Sequence, residues 1–280
     1  MAKRNRTLNQ AKIENRIKEG RGQGHGKEYI PWLTIRDVAS KGLSYRVLGK
    51  ITGRVHHLLS SLEYICFLVF DNSIKVVDIR EQYPLPLEET LKICERLGIK
   101  HPLAPGTNEP VPLTTDFILD IEQDGRVVSF ARTMKYSDSE DLEKPRTFEK
   151  FEIERTYWIE MGLDWKVITE FDIPQNYIEN IKWLKYSMDL SDFPSLNPPL
   201  LDEINHLYFQ EYSQLKEPFG RVCSQMDDVL NLNPGTILTA SRYLIATQLW
   251  EVNKEELIDT GKQLKILKTN VNQNTLEEVM

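Results

Sequence analysis

Cysteine is nearly missing from this 280-residue chain: Cys66, Cys94 and Cys223 are scattered, with no CxxC pair. That excludes a structural zinc site of the ribbon or finger kind, and so sparse an odd set fits a reducing cytosol. Long apolar runs are missing too. The longest, Tyr64 to Phe70, falls far short of the ~18–20 residues that a membrane span needs, so no membrane partner is expected. The N-terminal MAKRNRTLNQ is basic but lacks the apolar stretch of a secretory signal, and a cytoplasmic protein is the expectation. An overall excess of positive charge is also lacking. The net charge of −7 argues against a protein that coats DNA generically.

The charge that is present is unevenly placed. Residues 1–60 carry thirteen Lys/Arg against four Asp/Glu, a local excess of +9, which leaves −16 for the rest. Three of the five histidines, His25, His56 and His57, lie in the same segment. A basic arm on an acidic body points to phosphate contact at the N-terminal end, or to a solvated charged tail. Within it, GRGQGHGK (20–27) is neither a Walker A loop nor a GxGxxG turn. It offers a flexible backbone flanked by Arg21, His25 and Lys27, suited to approaching a phosphate or to serving as a mobile linker.

From residue 58 the pattern predicts a mixed α/β core. LLSSLEYICFLVF reads as a helix, SIKVVDIREQYPL as a strand, and LPLEETLKICERLGI as an amphipathic helix closed by glycine. TTDFILDIEQDGRVVSFARTMKY (114–136) reads as a hairpin, 141–161 as a helix and DWKVITE as a short strand. Beyond about 172 strand patterns become rare. Helices are expected near 174–187, 199–215, 219–231 and 234–250, followed by an edge strand at 263–269, the content of a winged-helix module. The expected division is a catalytic domain with a basic arm at 1–172 and a helical, partner-binding domain at 173–280.

The hairpin carries the chemistry. Alternation along a strand places Asp116, Ile118 and Asp120 on one face of the first strand, and Thr133 and Lys135 on one face of the second. Glu63 sits on its helix among Leu59, Cys66 and Phe67, at the edge of the buried stripe. A carboxylate there needs a cation or hydrogen bonds; an arginine partner and a metal ion both answer that need. A helix glutamate, a strand aspartate and a strand lysine follow the logic of a D…(D/E)xK nuclease site. Acidic oxygens hold Mg²⁺, a hard cation that lowers the pKa of a bound water, and the lysine orients or deprotonates that water.

EGRGQGHGKEYIPWLTI (19–35), TGRVHHLLSSLE (52–63) and VVDIREQYPL (76–85), with IKHP, TTDF and IERTYWIEMGLDW, resemble TnsA, the endonuclease subunit family of heteromeric transposons of the Tn-seven type. The resemblance spans roughly residues 8–185; beyond that it is one of general character. It implies a restriction-endonuclease-like (PD-(D/E)xK) N-terminal domain and a helical winged-helix-like C-terminal domain. It implies an Mg²⁺-dependent endonuclease, with Mn²⁺ substituting, that cuts the 5′ non-transferred strands of double-stranded DNA at transposon ends. The implied partners are a TnsB-like transposase, which cuts and joins the 3′ ends, and a TnsC-like AAA+ ATPase. The implied setting is a bacterial cytoplasm, at the nucleoid when active.

Carried over by position, the acidic ligands fall on Glu63 and Asp116, the active-site lysine on Lys135, and a further ligand on the backbone carbonyl of Met134. Thr133 stands where the family has a glutamine, and a neutral, short hydroxyl is a weak ligand there. Arg21, His25, Lys27, His56 and His57 are the implied DNA contacts. A catalytically weakened assembly subunit and a stand-alone restriction-type nuclease remain the alternatives.

Overall fold

The computed structural model describes residues 10–38, 42–187 and 190–271. The first nine residues of the expected basic arm lie outside them. The chain divides into two compact units, Met1–Asp172 and Ile173–Met280.

The first unit begins with helix α1 (Gln10–Lys18) and the hairpin strands β1 (Tyr45–Leu48) and β2 (Val55–Leu58). Helix α2 (Ser61–Asp71) follows directly, and its start is fixed by a Ser60 cap and a reach-back from Glu63. The Ser60 hydroxyl accepts from the Glu63 N–H at 3.1 Å, and the Glu63 carboxylate accepts from the Leu59 N–H at 2.8 Å. Strand β3 (Val76–Pro84) and helix α3 (Leu87–Leu97) come next; α3 ends where Gly98 turns to φ 65°. Strands β4 (Thr114–Gln123) and β5 (Arg126–Met134) form the expected hairpin. Its two-residue turn is Asp124–Gly125, with φ 50° and 72°, the mirror-image turn that matches strand twist. Helix α4 (Pro145–Glu160), opened by proline, and strand β6 (Asp164–Ile168) complete the unit.

The sheet order is β3-β4-β5-β6, antiparallel except for the parallel β5–β6 pair. Phe117 meets Phe70 of α2, whereas Ile118 joins Ala131, Ile153, Tyr157 and Trp158 on the α3–α4 side. Successive residues of β4 therefore anchor opposite layers, and the sheet is held between α2 and α3–α4. Each fully buried aromatic or branched side chain contributes roughly 1.5–3 kcal/mol to that sandwich.

The second unit holds α5 (Gln175–Leu184), α6 (Pro198–Leu207) with a π-helical turn at Tyr208–Tyr212, α7 (Phe219–Val229) and α8 (Thr236–Ala246). They pack around Leu201, Phe219, Met226, Ile237, Tyr243 and Trp250. Asp227 at the end of α7 accepts from the N–H groups of Gly235 and Ile237, capping α8 at 2.7 and 2.8 Å. Strands β7 (Trp250–Val252) and β8 (Ile266–Thr269) pair antiparallel. The helix expected over 234–250 stops four residues short, because Trp250 leaves it to enter β7.

Candidate active site

Glu63 is 6% exposed. Among the described residues no arginine is paired with it. Its carboxylate accepts from the Leu59 N–H and, at 3.2 Å, from Nε2 of Gln82. The same Nε2 lies 3.3 Å from Oδ1 of Asp116. The other Asp116 oxygen accepts from the Met134 N–H at 2.7 Å. A helix carboxylate and a strand carboxylate thus converge on one amide nitrogen.

This convergence corrects the face assignment made from alternation. Asp116 does not share a face with Ile118: it turns to Glu63 of α2, while Ile118 packs toward α3–α4. The cause is a reversal in both strands. Glu81 bonds to Arg54 and His56 on one face, yet Tyr83, two residues on, packs against Trp158 of α4 on the other. Thr115 likewise reaches α4 while Phe117 meets α2. Between Glu81 and Tyr83 stands Gln82 at φ 50°, a left-handed residue inside a strand. Such a conformation costs on the order of 1–3 kcal/mol and persists only where its surroundings impose it.

Thr133 is taken up elsewhere. Its hydroxyl donates to Oε1 of Glu154 at 2.6 Å and accepts from the Trp165 indole at 3.1 Å. Thr115 mirrors it, donating to the same oxygen at 2.6 Å and accepting from Trp158 at 2.7 Å. Both hydroxyls are tied into this buried network, which orients Thr133 toward Glu154 and Trp165. Lys135 donates to Asp141 at 2.8 Å, and its charge works against the burial that raises the pKa of Asp116.

The implied DNA contacts fare unevenly. Arg21 is ion-paired with Glu19 and Asp37. His25 is exposed, but its Nδ1 lies 3.3 Å from Asp78, which also accepts from the Gly26 N–H. Asp120 is nearby, and Arg80 already balances both acids. His56 is fully buried between Thr52 and Glu81, so a DNA contact does not fit its place. His57 is half-buried beside Arg36 and Arg46, and Lys27 is exposed.

Burial raises the Glu63 pKa to about 8, with the nearby Asp116 charge adding to it. Burial likewise raises Asp116, to about 6, against the opposing bonds from Met134 and Gln82. Burial also lifts Glu154, to about 7, although the threonine bonds pull the other way. Between 4.5 and about 8 the folded protein holds a proton on Glu63 that the unfolded chain has released, so this group's contribution to stability falls as pH rises. In a chelator, Glu63→Gln should therefore melt above wild type by a margin that grows from pH 5 to pH 8. Thermal melts across that range check this, and a constant margin would show that Glu63 ionises freely.

Sequence reasoning did not find Gln82 or Glu154. An amide in a strand has no motif, and Glu154 is one of several glutamates on a charged helix.

The family described as TnsA-like endonuclease N terminal matches residues 73–170, and the one described as TnsA endonuclease C terminal matches residues 172–253. The transposon Tn7 transposition protein TnsA of Escherichia coli is 40% identical over 253 residues, covering 90% of this chain and 89% of that protein.

Proposed function

The chain belongs to the TnsA family of transposition endonucleases, and from that premise we propose that it cuts the 5′ strands at transposon ends with a divalent cation held by Glu63 and Asp116. The observation that carries this reading is the convergence of those two carboxylates on one point, marked by Gln82 Nε2.

The donor set fits a hard cation. Both groups are carboxylates drawn together in a poorly solvated place, each already accepting N–H donors, and the nearby Cys66 is a thiol that burial holds protonated, its pKa pushed up to about 12. Mg²⁺ is the natural occupant, with Mn²⁺ able to substitute, and the backbone carbonyl of Met134, whose N–H bonds Asp116, would be a further ligand. When bound, the cation supplies Lewis-acid stabilisation of the phosphate and a more acidic water. The chain's own residues do the rest. Glu63 and Asp116 fix the site on two different elements. Lys135 leaves Asp141 to orient the attacking water or to neutralise charge on the phosphate. Lys27, His57 and the basic side chains around His57 face the DNA backbone and position the duplex without reading its sequence.

On this reading the first unit is a restriction-endonuclease-like core and the second a winged-helix-like domain that meets partners. A TnsB-like transposase cuts the 3′ strands and chooses the ends, and a TnsC-like ATPase licenses the reaction. None of the described helices is long and apolar enough to cross a membrane. Because charge is modest and local, the isolated protein should bind DNA weakly.

The test is strand-resolved cleavage of a labelled transposon end, with the partner transposase, the ATPase, target DNA and Mg²⁺. Wild type should nick the 5′ strand, and Lys135→Met should lose that nick alone while 3′-end joining continues. Wild type that leaves the 5′ strand intact while 3′ ends are joined would make the chain an assembly subunit. Cleavage of plain duplex without partners would make it a stand-alone nuclease.

A further inference from the structure

We infer that Gln82 is a positioning residue of the nuclease site, a neutral placeholder that holds Glu63 and Asp116 together until a cation replaces it; this rests on the two-carboxylate reading above. Four described non-glycine residues have positive φ: Gln82, Asp124, Asn231 and Gln248. Asp124 forms a hairpin turn, and Asn231 and Gln248 follow the ends of helices. Gln82 alone of the four lies inside a strand, where no turn requires it.

Its conformation is fixed from several sides. The Trp32 N–H donates to the Gln82 carbonyl at 3.2 Å. The Thr114 hydroxyl donates to Gln82 Oε1 at 3.4 Å, which sets the amide so that Nε2 faces the acids. The glycine-rich segment lies against the same strand end: a Cβ on Gly22 would sit 2.2 Å from the Pro84 ring, so glycine is needed for that approach. Tyr29 adds a bond from its hydroxyl to the Glu81 carbonyl at 3.0 Å. The segment that reads in sequence as a phosphate loop or linker is thus a strap along β3, and its effect is to hold Gln82 in an otherwise unfavourable backbone state.

The outcome of that strain is the geometry of Nε2, 3.2 Å from Glu63 and 3.3 Å from Asp116. Two carboxyl groups brought this close present lone pairs that need a donor between them. A cation shared by the same two oxygens takes over that task and leaves the amide redundant. Gln82 therefore stabilises the chelated protein and not the loaded one. Its removal should weaken the first selectively and tighten cation binding in the same measure.

The experiment compares wild type with Gln82→Met, which keeps length but lacks the donor, in EDTA and in saturating Mn²⁺ without DNA. In EDTA the variant should melt about 3–5 °C lower; in Mn²⁺ the gap should close to within about 1 °C, and calorimetric Mn²⁺ affinity should rise roughly tenfold. Gln82→Glu, which sets a third carboxylate beside the pair, should show a larger EDTA deficit and a larger Mn²⁺ shift. A gap of equal size in EDTA and Mn²⁺ would reduce Gln82 to a structural residue. A wild type whose melting and calorimetry ignore Mn²⁺ would remove the metal reading, and this inference with it.

Discussion

Asp116→Asn should lose DNA cleavage by about 10³-fold or more, the equivalent of roughly 4 kcal/mol of transition-state stabilisation, while the chelated protein stays as stable as wild type. The two halves of this expectation come from different atoms. An asparagine carbonyl can still accept the Met134 N–H that Asp116 accepts at 2.7 Å, so the end of the β4–β5 hairpin keeps its bond, while the asparagine Nδ2 gives up the longer contact with Gln82 Nε2. The charge is what disappears, and beside Glu63 its loss relieves repulsion in a place that resists ionisation. The relieved repulsion offsets the lost Gln82 contact, so stability stays near wild type, and the hard anionic ligand is lost. Strand-resolved cleavage with all partners present reads the rate, and melts in chelator read the fold. A variant that cuts within tenfold of wild type would remove Asp116 from the ligand set. One that melts far below wild type would mean that the carboxylate is structural.

Much of this site is legible in the sequence because hairpins and amphipathic helices announce themselves. Asp-Gly between alternating strands fixes β4 and β5, and proline, glutamates and glycine bound α3. The β1–β2 hairpin does not announce itself. Its strands are four residues each, and β2 carries two histidines in VHHL, so it reads as the lead-in to a helix. The facing of Asp116 was illegible for a different reason. Period-two alternation assumes a regular strand, and Gln82 breaks it through one dihedral angle that no local composition demands. Thr133 shows the converse. Position alone marks it as a ligand, but a buried glutamate 21 residues further along competes for its hydroxyl and holds it.

Arg54→Met should cost roughly 3–5 kcal/mol, the penalty for leaving a buried charge without its partner, and should weaken cation binding as well. Glu81 is 0% exposed and accepts from both Arg54 terminal nitrogens, from His56 at 2.8 Å and from the His57 N–H at 3.0 Å. Burial alone would push its pKa up; the bonds from Arg54 and His56 overcome that and hold it at about 2. A depressed carboxylate stabilises the fold above its unfolded value of 4.5 and loses that contribution as pH falls through 2, so at neutral pH the full effect is present. Arg54 also donates to the carbonyls of Ile79 and Gly26, tying β2 to β3 and to the glycine-rich strap. Because β2 runs through Leu59, whose N–H Glu63 accepts, into the Ser60 cap of α2, slack at Arg54 reaches Glu63 directly. Urea unfolding gives the stability loss, and Mn²⁺ calorimetry gives the effect on the site. The double variant Arg54→Met with Glu81→Gln should recover most of the stability, since the stranded charge is then gone. A single variant that costs less than about 1 kcal/mol would mean that other bonds, not Arg54, carry Glu81 in the core.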